Sequence, residues 1–250
     1  MPLWSKRHGL DGPYPLISHL LDTAASAMVL WDHWLRDGLR EHIEADLGPD
    51  ARAWVAAAAG LHDLGKASPV FAGQLLAPAE SWHAGAREAL DGAGFSLNVP
   101  QEQLEYLRRH ESVSAMALSG GMKGSDSVSE HWMAAAALGH HGKFQVPDKS
   151  ARRVFEKSAG GAWETARTDL RATVMSAAGL DPDQEPPAGS TTTAVLISGL
   201  VVLADRTASE WYAVKTAQEE IQAGKLDAED TAAWMTHRQA FFEHRLRRTL

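Results

Sequence analysis

The stretch Ala56-Ala57-Ala58-Ala59-Gly60-Leu61-His62-Asp63-Leu64-Gly65-Lys66 decides how this chain is read. Its alanines favour a helix, and near the helix end stands an adjacent His-Asp pair, with a lysine one turn further on. Neighbouring helical residues diverge by about 100°, so His62 and Asp63 do not pinch one ion as an i, i+4 pair does. They serve a cluster from its edge. Asp63 has two oxygens that can bridge two cations about 3.5–4 Å apart, and His62 offers one nitrogen to one of them. Lys66 shares their face and can meet a phosphate. The plainer reading is a helix ending in a solvated His-Asp pair, with Gly65 as its stop.

Composition narrows the classes. A chain of 250 residues, 44% hydrophobic and 22% charged, buries a full core as one large domain or two small ones. A net charge of −8 argues against a wholly basic nucleic-acid coat, though a local basic groove is compatible with it. With no cysteine, disulfides and thiolate zinc sites are excluded, and a reducing cytoplasm is the natural compartment. The amino terminus lacks the apolar core of a signal peptide. The longest apolar run, residues 194–204, is about half of what a membrane span needs. A soluble, cytoplasmic protein with no membrane partner is expected.

Periodicity predicts an all-α fold. Residues up to about 18 are Gly/Pro-punctuated and read as irregular. Ser18 is the expected cap of a helix over residues 19–35, with His19 in its first turn. Asp50 is the expected cap of the helix that carries His62 and Asp63. Residues 69–100 read as loop with a short helix near 84–90. Leu104, Leu107, His110, Ser114 and Ala117 then form one helical stripe. A loop at 120–126 and a Ser127-x-x-Glu130 capping box precede a helix whose face ends in His140 and His141, stopped by Gly142. Residues 151–178 read as two helices broken at Gly160-Gly161. A helix over about 191–216, apolar almost all round through Leu203, is expected to be central and to carry Asp205 inward on the stripe of Ile197 and Val201. A last helix starts near Asp227 and ends in a basic terminus. No internal repeat divides the chain, and one domain over residues 1–250 is expected.

His19, His62, His110, His140, His141 and Asp205 thus join Asp63 at helix ends or on apolar faces. Taken one at a time, each histidine reads as an ordinary core or surface residue and Asp205 as half of a salt bridge. Together they are harder to explain, because burying so many ionisable groups without partners costs several kcal/mol, which metal ions would offset. His8, His33, His42, His83, His131, His237 and His244 fall in loops or on polar faces.

The combination resembles the HD phosphohydrolase superfamily, and more closely the HD nuclease domain of the CRISPR-associated helicase-nuclease of type I systems. The resemblance rests on Leu3-Trp4-Ser5-Lys6, the run from Tyr14 to Ala24, the run from Gly60 to Pro69, Arg109-His110-Glu111-x-x-Ser114, Gly139-His140-His141-Gly142 and Leu203-Ala204-Asp205. It implies a helical bundle whose metal site is formed by helix ends and inward-facing helix residues. It assigns His19, His62, Asp63 and Asp205 to one metal and Asp63, His110, His140 and His141 to a second. It also implies that Lys66 approaches the substrate phosphate. Such a ligand set suits manganese, iron, cobalt or nickel better than magnesium. Two departures stand out. No GxxxxGK[ST] phosphate loop is present, so a helicase motor would lie elsewhere on a longer chain or on a separate subunit. Arg206 also follows Asp205, where the family often has an aromatic.

The expected activity is metal-dependent hydrolysis of single-stranded DNA in type I CRISPR interference, as an endonuclease and then by exonucleolytic degradation. A helicase and a guide-RNA surveillance complex are the expected partners. Arg108, Arg109, Lys143, Arg152, Arg153 and Lys157 are candidates for a backbone-tracking groove, with tryptophans as stacking platforms. The alternatives are a nucleotide or cyclic-nucleotide phosphohydrolase, and a non-catalytic docking module for the helicase or the surveillance complex.

Overall fold

A computed structural model describes residues 2–6, 10, 12–76, 83–119, 131–158 and 160–248. The loop and capping box expected between 120 and 130 lie outside the described residues. Helix α1 (Leu16–His33) is buried on every face from Ser18 to Trp31, which makes it the axis of the molecule. Helices α3 (Ala51–Leu61), α11 (Thr191–Ala208) and α13 (Thr231–Arg247) pack around it, and α10 (Ala162–Ala178) closes over α3. Alanines on α1 and α3 let the two axes approach. At Gly60 a Cβ would lie 2.5 Å from Val174 Cγ1 and 3.2 Å from the Ala24 Cβ, so the side chain there has to be hydrogen.

The amino terminus departs from the irregular segment expected. Residues Trp4–Lys6 (β1) pair antiparallel with Tyr14–Pro15 (β2), Lys6 opposite Tyr14. The Leu16 N–H donates to the Leu3 carbonyl at 2.9 Å, so α1 starts before Ser18, which lies buried inside it without capping. Helix α2 (Asp37–Leu47) was hidden in a polar stretch that buries only Ile43 and Leu47. Asp50 does occupy the cap position of α3, but its side chain makes no capping bond. Between residues 69 and 100, α5 (His83–Gly92) is the short helix expected near 84–90, whereas α4 (Pro69–Leu75), capped by the Ser68 hydroxyl, brings order to a part read as loop.

The stripe from Leu104 to Ala117 is two helices, α6 (Leu104–Leu107) and α7 (His110–Leu118). They part at Arg109, which is extended at φ −91°, ψ 99° and whose guanidinium is held by Glu111 Oε1 at 2.7 Å and Gln145 Oε1 at 2.6 Å. Helix α8 (Trp132–Gly139) ends just before His140, with Gly142 at φ +75°. Helices α9 (Lys149–Ser158) and α10 divide around Gly160-Gly161 as the spacing predicts. The expected helix 191–216 is α11 followed by α12 (Trp211–Gln222), interrupted at Ser209-Glu210. Nor is α11 sheathed all round: Val195 and Leu203 are 57% and 37% exposed. By length and composition α11 could cross a membrane, but its inner face packs on α1 and α8.

One polar network ties the ends of the chain to the axis. The Asp22 carboxylate, fully buried in α1, accepts from Tyr14 Oη at 2.8 Å, Trp234 Nε1 at 3.1 Å, Arg238 Nε at 2.7 Å and Arg238 Nη2 at 3.1 Å. The same Nη2 also donates to the Ala213 carbonyl at 3.1 Å, which brings in α12.

Candidate metal centre

Each side chain of the site is delivered by an element whose local sequence explains its direction. His62 caps the carboxyl end of α3, and Asp63 leads into a 3₁₀ turn, Leu64–Lys66. That turn sits on the head of α7: the Gly65 N–H donates to Ser114 Oγ at 2.8 Å. Gly65 is therefore more than a stop signal. A Cβ there would fall 2.0 Å from the His110 carbonyl oxygen and 2.5 Å from Ser114 N, both backbone atoms that cannot yield cheaply. Its absence lets His110 reach Asp63. Gly65→Ala is expected to lower stability by about 3 kcal/mol, the scale of overpacking, in urea denaturation; a change under about 0.5 kcal/mol would show that this close approach is dispensable.

The two oxygens of Asp63 face different neighbours. Its Oδ2 lies 2.9 Å from His19 Nε2, 3.2 Å from His62 Nε2 and 2.5 Å from Lys66 Nζ. Its Oδ1 lies 3.1 Å from His110 Nε2 and 3.5 Å from His140 Nε2. Asp205 Oδ1, arriving from α11, is 3.5 Å from His19 Nε2 and 3.6 Å from His62 Nε2. His141 Nε2 lies 3.1 Å from His110 Nε2. The donor atoms fall into two compact groups, one of His19, His62, Asp63 and Asp205, the other of His110, His140 and His141, each within 4.8 Å.

Tautomers decide whether these groups suit a cation. His62 Nδ1 lies 2.6 Å from the Ala59 carbonyl and His140 Nδ1 2.5 Å from the Ala137 carbonyl. A carbonyl only accepts, so each Nδ1 carries the hydrogen, and in the neutral ring Nε2 is a bare lone pair. Those lone pairs point toward Asp63, and His62 Nε2, His140 Nε2 and Asp63 Oδ1 are all buried without a hydrogen-bond partner. Lone pairs facing a carboxylate require something positive between them, and a carbonyl-oriented imidazole is the common metal-ligand arrangement. The residues fit divalent ions.

The electrostatics agree. Burial opposes charge on His62, but the Asp63 and Asp205 carboxylates outweigh it and raise its pKa to about 9. Burial prevails at His19, aided by Lys6, and at His140, aided by His62, and both fall to about 3. Burial also opposes charge on the two carboxyls, yet His62 beside both, joined at Asp63 by Lys66, holds them below the usual carboxylate range. The pocket keeps two carboxylates ionised and accepts a cation between them, a role that a proton on His62 fills in the metal-free protein.

All seven side chains named from the sequence, with Lys66, therefore line one pocket. His140 is buried, whereas His141 is exposed at the rim and closes no buried face, because α8 has already ended. Of the proposed groove, Arg108, Lys143, Arg153 and Lys157 are exposed, while Arg109 is engaged by Glu111 and Gln145. The tryptophans are mainly core residues: Trp4, Trp31, Trp54, Trp132, Trp163 and Trp234 are buried, and among the described ones only Trp34 and Trp211 are exposed. Sequence reasoning missed Ser209, which donates to Asp205 Oδ1 at 2.6 Å, and did not count Lys6 as part of the site.

A family profile described as "Cas3, HD domain" matches residues 4–214. The chain belongs to this family. Among relatives, the CRISPR-associated endonuclease/helicase Cas3 of Thermus thermophilus is 32% identical over 222 residues, 84% of this chain and 22% of that protein. This HD domain thus spans less than a quarter of that relative's length. A crystal structure of T. fusca Cas3 superimposes with a TM-score of 0.75 at 27% identity, covering 96% of this chain and 26% of that one. A chain of a CRISPR RNA-guided surveillance complex, pre-nicking, is also similar, with a TM-score of 0.69 at 27% identity over 96% of this chain and 28% of that one. The Thermus thermophilus cas3 HD domain, crystallised in the presence of Ni2+, shares the fold with a TM-score of 0.57 at 24% identity, over 95% of this chain and 87% of that one.

Proposed function

We propose that this HD domain is a metal-dependent nuclease that hydrolyses phosphodiester bonds of single-stranded DNA during CRISPR interference. The observation that carries the reading is Asp63, whose two oxygens face two separate groups of imidazoles. His19, His62, Asp63 and Asp205 would hold one ion, and Asp63, His110, His140 and His141 the other. Imidazole-rich donor sets favour manganese, nickel, cobalt or iron over magnesium. Bound divalent ions supply Lewis-acid activation of water and neutralise charge on the phosphate. Lys66 adds a positive charge at the same carboxylate, suited to a phosphate whose negative charge grows during attack. A pocket built from helix ends admits a flexible strand more readily than a stiff duplex, and the exposed Arg108, Lys143, Arg153 and Lys157 can track its backbone. Because the chain lacks a phosphate loop, strand feeding falls to a helicase motor, on the same longer chain or a separate subunit, and delivery to a guide-RNA surveillance complex.

The test is a circular single-stranded DNA incubated with protein reconstituted with manganese, nickel or cobalt. A circle has no ends, so its loss requires an endonuclease. Loss of the circle is the expected result. An intact circle together with hydrolysis of nucleotides or cyclic nucleotides would replace this reading with the phosphohydrolase, and neither activity nor bound metal would favour the docking module.

Metal binding should also release a proton. At pH 7 His62 is protonated in the metal-free pocket because its pKa of about 9 lies above that pH. A metal ion takes the place of that proton, so His62 contributes about one released proton per chain at pH 7. That release fades as pH rises through about 9, and below that pH apparent affinity falls as protons compete. Calorimetry in buffers of different ionisation enthalpy measures the count; a value near zero at pH 7 would contradict the role given to His62.

A further inference from the structure

Ser209 stands one turn after Asp205, where its backbone N–H closes the last turn of α11 on the Asp205 carbonyl at 2.7 Å. A helical hydroxyl in that position ordinarily donates to the carbonyl four residues back. Thr23, Thr173, Ser198, Thr207 and Thr236 all do so, at 2.8 to 2.9 Å. Ser209 does not: its Oγ lies 2.6 Å from Asp205 Oδ1. The reason comes from the other end of the chain. Lys6, on β1, brings its Nζ to 2.7 Å from Ser209 Oγ. An ammonium only donates, so the serine oxygen accepts from Lys6 and its single hydrogen is left for the carboxylate.

We propose that Ser209 is a positioning residue that holds Asp205 Oδ1 toward His19 and His62, and that Lys6 sets the direction of its hydroxyl. The inference rests on the metal reading of the pocket and adds to it residues that touch no ion. Held by Ser209, Asp205 Oδ1 stays 3.5 Å from His19 Nε2 and 3.6 Å from His62 Nε2. Without that bond the carboxylate is free to turn toward solvent, since its side chain is already 22% exposed. The N-terminal hairpin thereby becomes part of the support of the centre.

The test is a Mn2+ titration followed by calorimetry and electron paramagnetic resonance, on protein whose metal-free melting confirms folding. Ser209→Ala is expected to weaken one bound ion about 10- to 100-fold, as losses of groups behind metal ligands do. Ser209→Thr, which keeps the hydroxyl, should restore the affinity to within a few-fold. Lys6→Met should weaken binding in the unmodified background and add nothing to Ser209→Ala, because both act through one hydroxyl. If Lys6 acted by charge alone, its removal would tighten Mn2+ binding in both backgrounds, and that result overturns its assigned role. Unchanged binding in Ser209→Ala, beside normal binding by the unmodified protein, overturns the inference alone. No Mn2+ binding by the unmodified protein overturns the metal reading and this inference with it.

Discussion

Asp63→Ala is expected to cost the domain both ions in a single step and to lower cleavage of single-stranded DNA by more than about 10³-fold. Asp63 is common to both groups of donors, with Oδ2 beside His19 and His62 and Oδ1 beside His110 and His140. Substitutions at Asp205 or His141 touch one group each, so each of those variants should retain one ion. The fold should survive Asp63→Ala. Once the carboxylate is gone, the strongest influence raising the His62 pKa is gone too, so that ring can give up its proton. Lys66, buried at 8% exposure, keeps the face of the Phe71 ring as a partner for its ammonium, 5.3 Å from the centroid. Elemental analysis after reconstitution, beside a melting curve, separates the outcomes. A folded Asp63→Ala protein that still binds two ions would sink the bridging role, and one that still cleaves would sink the mechanism.

Arg238→Met should produce the largest loss of stability, about 3–5 kcal/mol, because it leaves the Asp22 carboxylate buried without its cation. Arg238 supplies two of the four donors to Asp22, and both side chains are fully buried. The guanidinium also lies over the rings of Phe241 and Phe242, at 4.4 and 4.9 Å from their centroids, so α13 loses packing as well as charge. For a chain of this size that corresponds to roughly 10 °C in melting temperature. A double variant, Asp22→Leu with Arg238→Met, should recover part of the loss but not all, since Tyr14 Oη and Trp234 Nε1 would then lack their acceptor. Urea denaturation measures both. A cost under about 1 kcal/mol for Arg238→Met would mean that apolar packing, not this network, fastens α13 to α1.

The site was legible where its signals are local. His62, Asp63 and Lys66 belong to one turn. The break at Gly160-Gly161 and the end of α8 before Gly142 are likewise written in adjacent residues. The histidines away from that turn stood out by falling on apolar faces, and the resemblance grouped them. What escaped was set by distant contacts. The stripe through Leu104 and Ala117 continues across Arg109, yet the chain opens there because Glu111 and Gln145 hold the guanidinium. The apolar run of α11 suggested a helix buried all round, although Val195 is 57% exposed. Tryptophans suited to stacking on bases are mostly spent on the core, and composition alone does not say which.

By itself, the sequence determined the helical class, the turn that holds His62, Asp63 and Lys66, and the set of imidazoles and carboxylates available to a metal. These follow from backbone propensity and from a period of 3.6 residues, both properties of neighbours along the chain. Only the tertiary structure decided that Asp63 divides its oxygens between two groups, that Gly65 must lack a side chain to let His110 approach, and that Lys6 reaches Ser209 across 203 positions. Such pairings depend on how packed helices and a short hairpin bring remote atoms within hydrogen-bond reach, and no local periodicity encodes that distance.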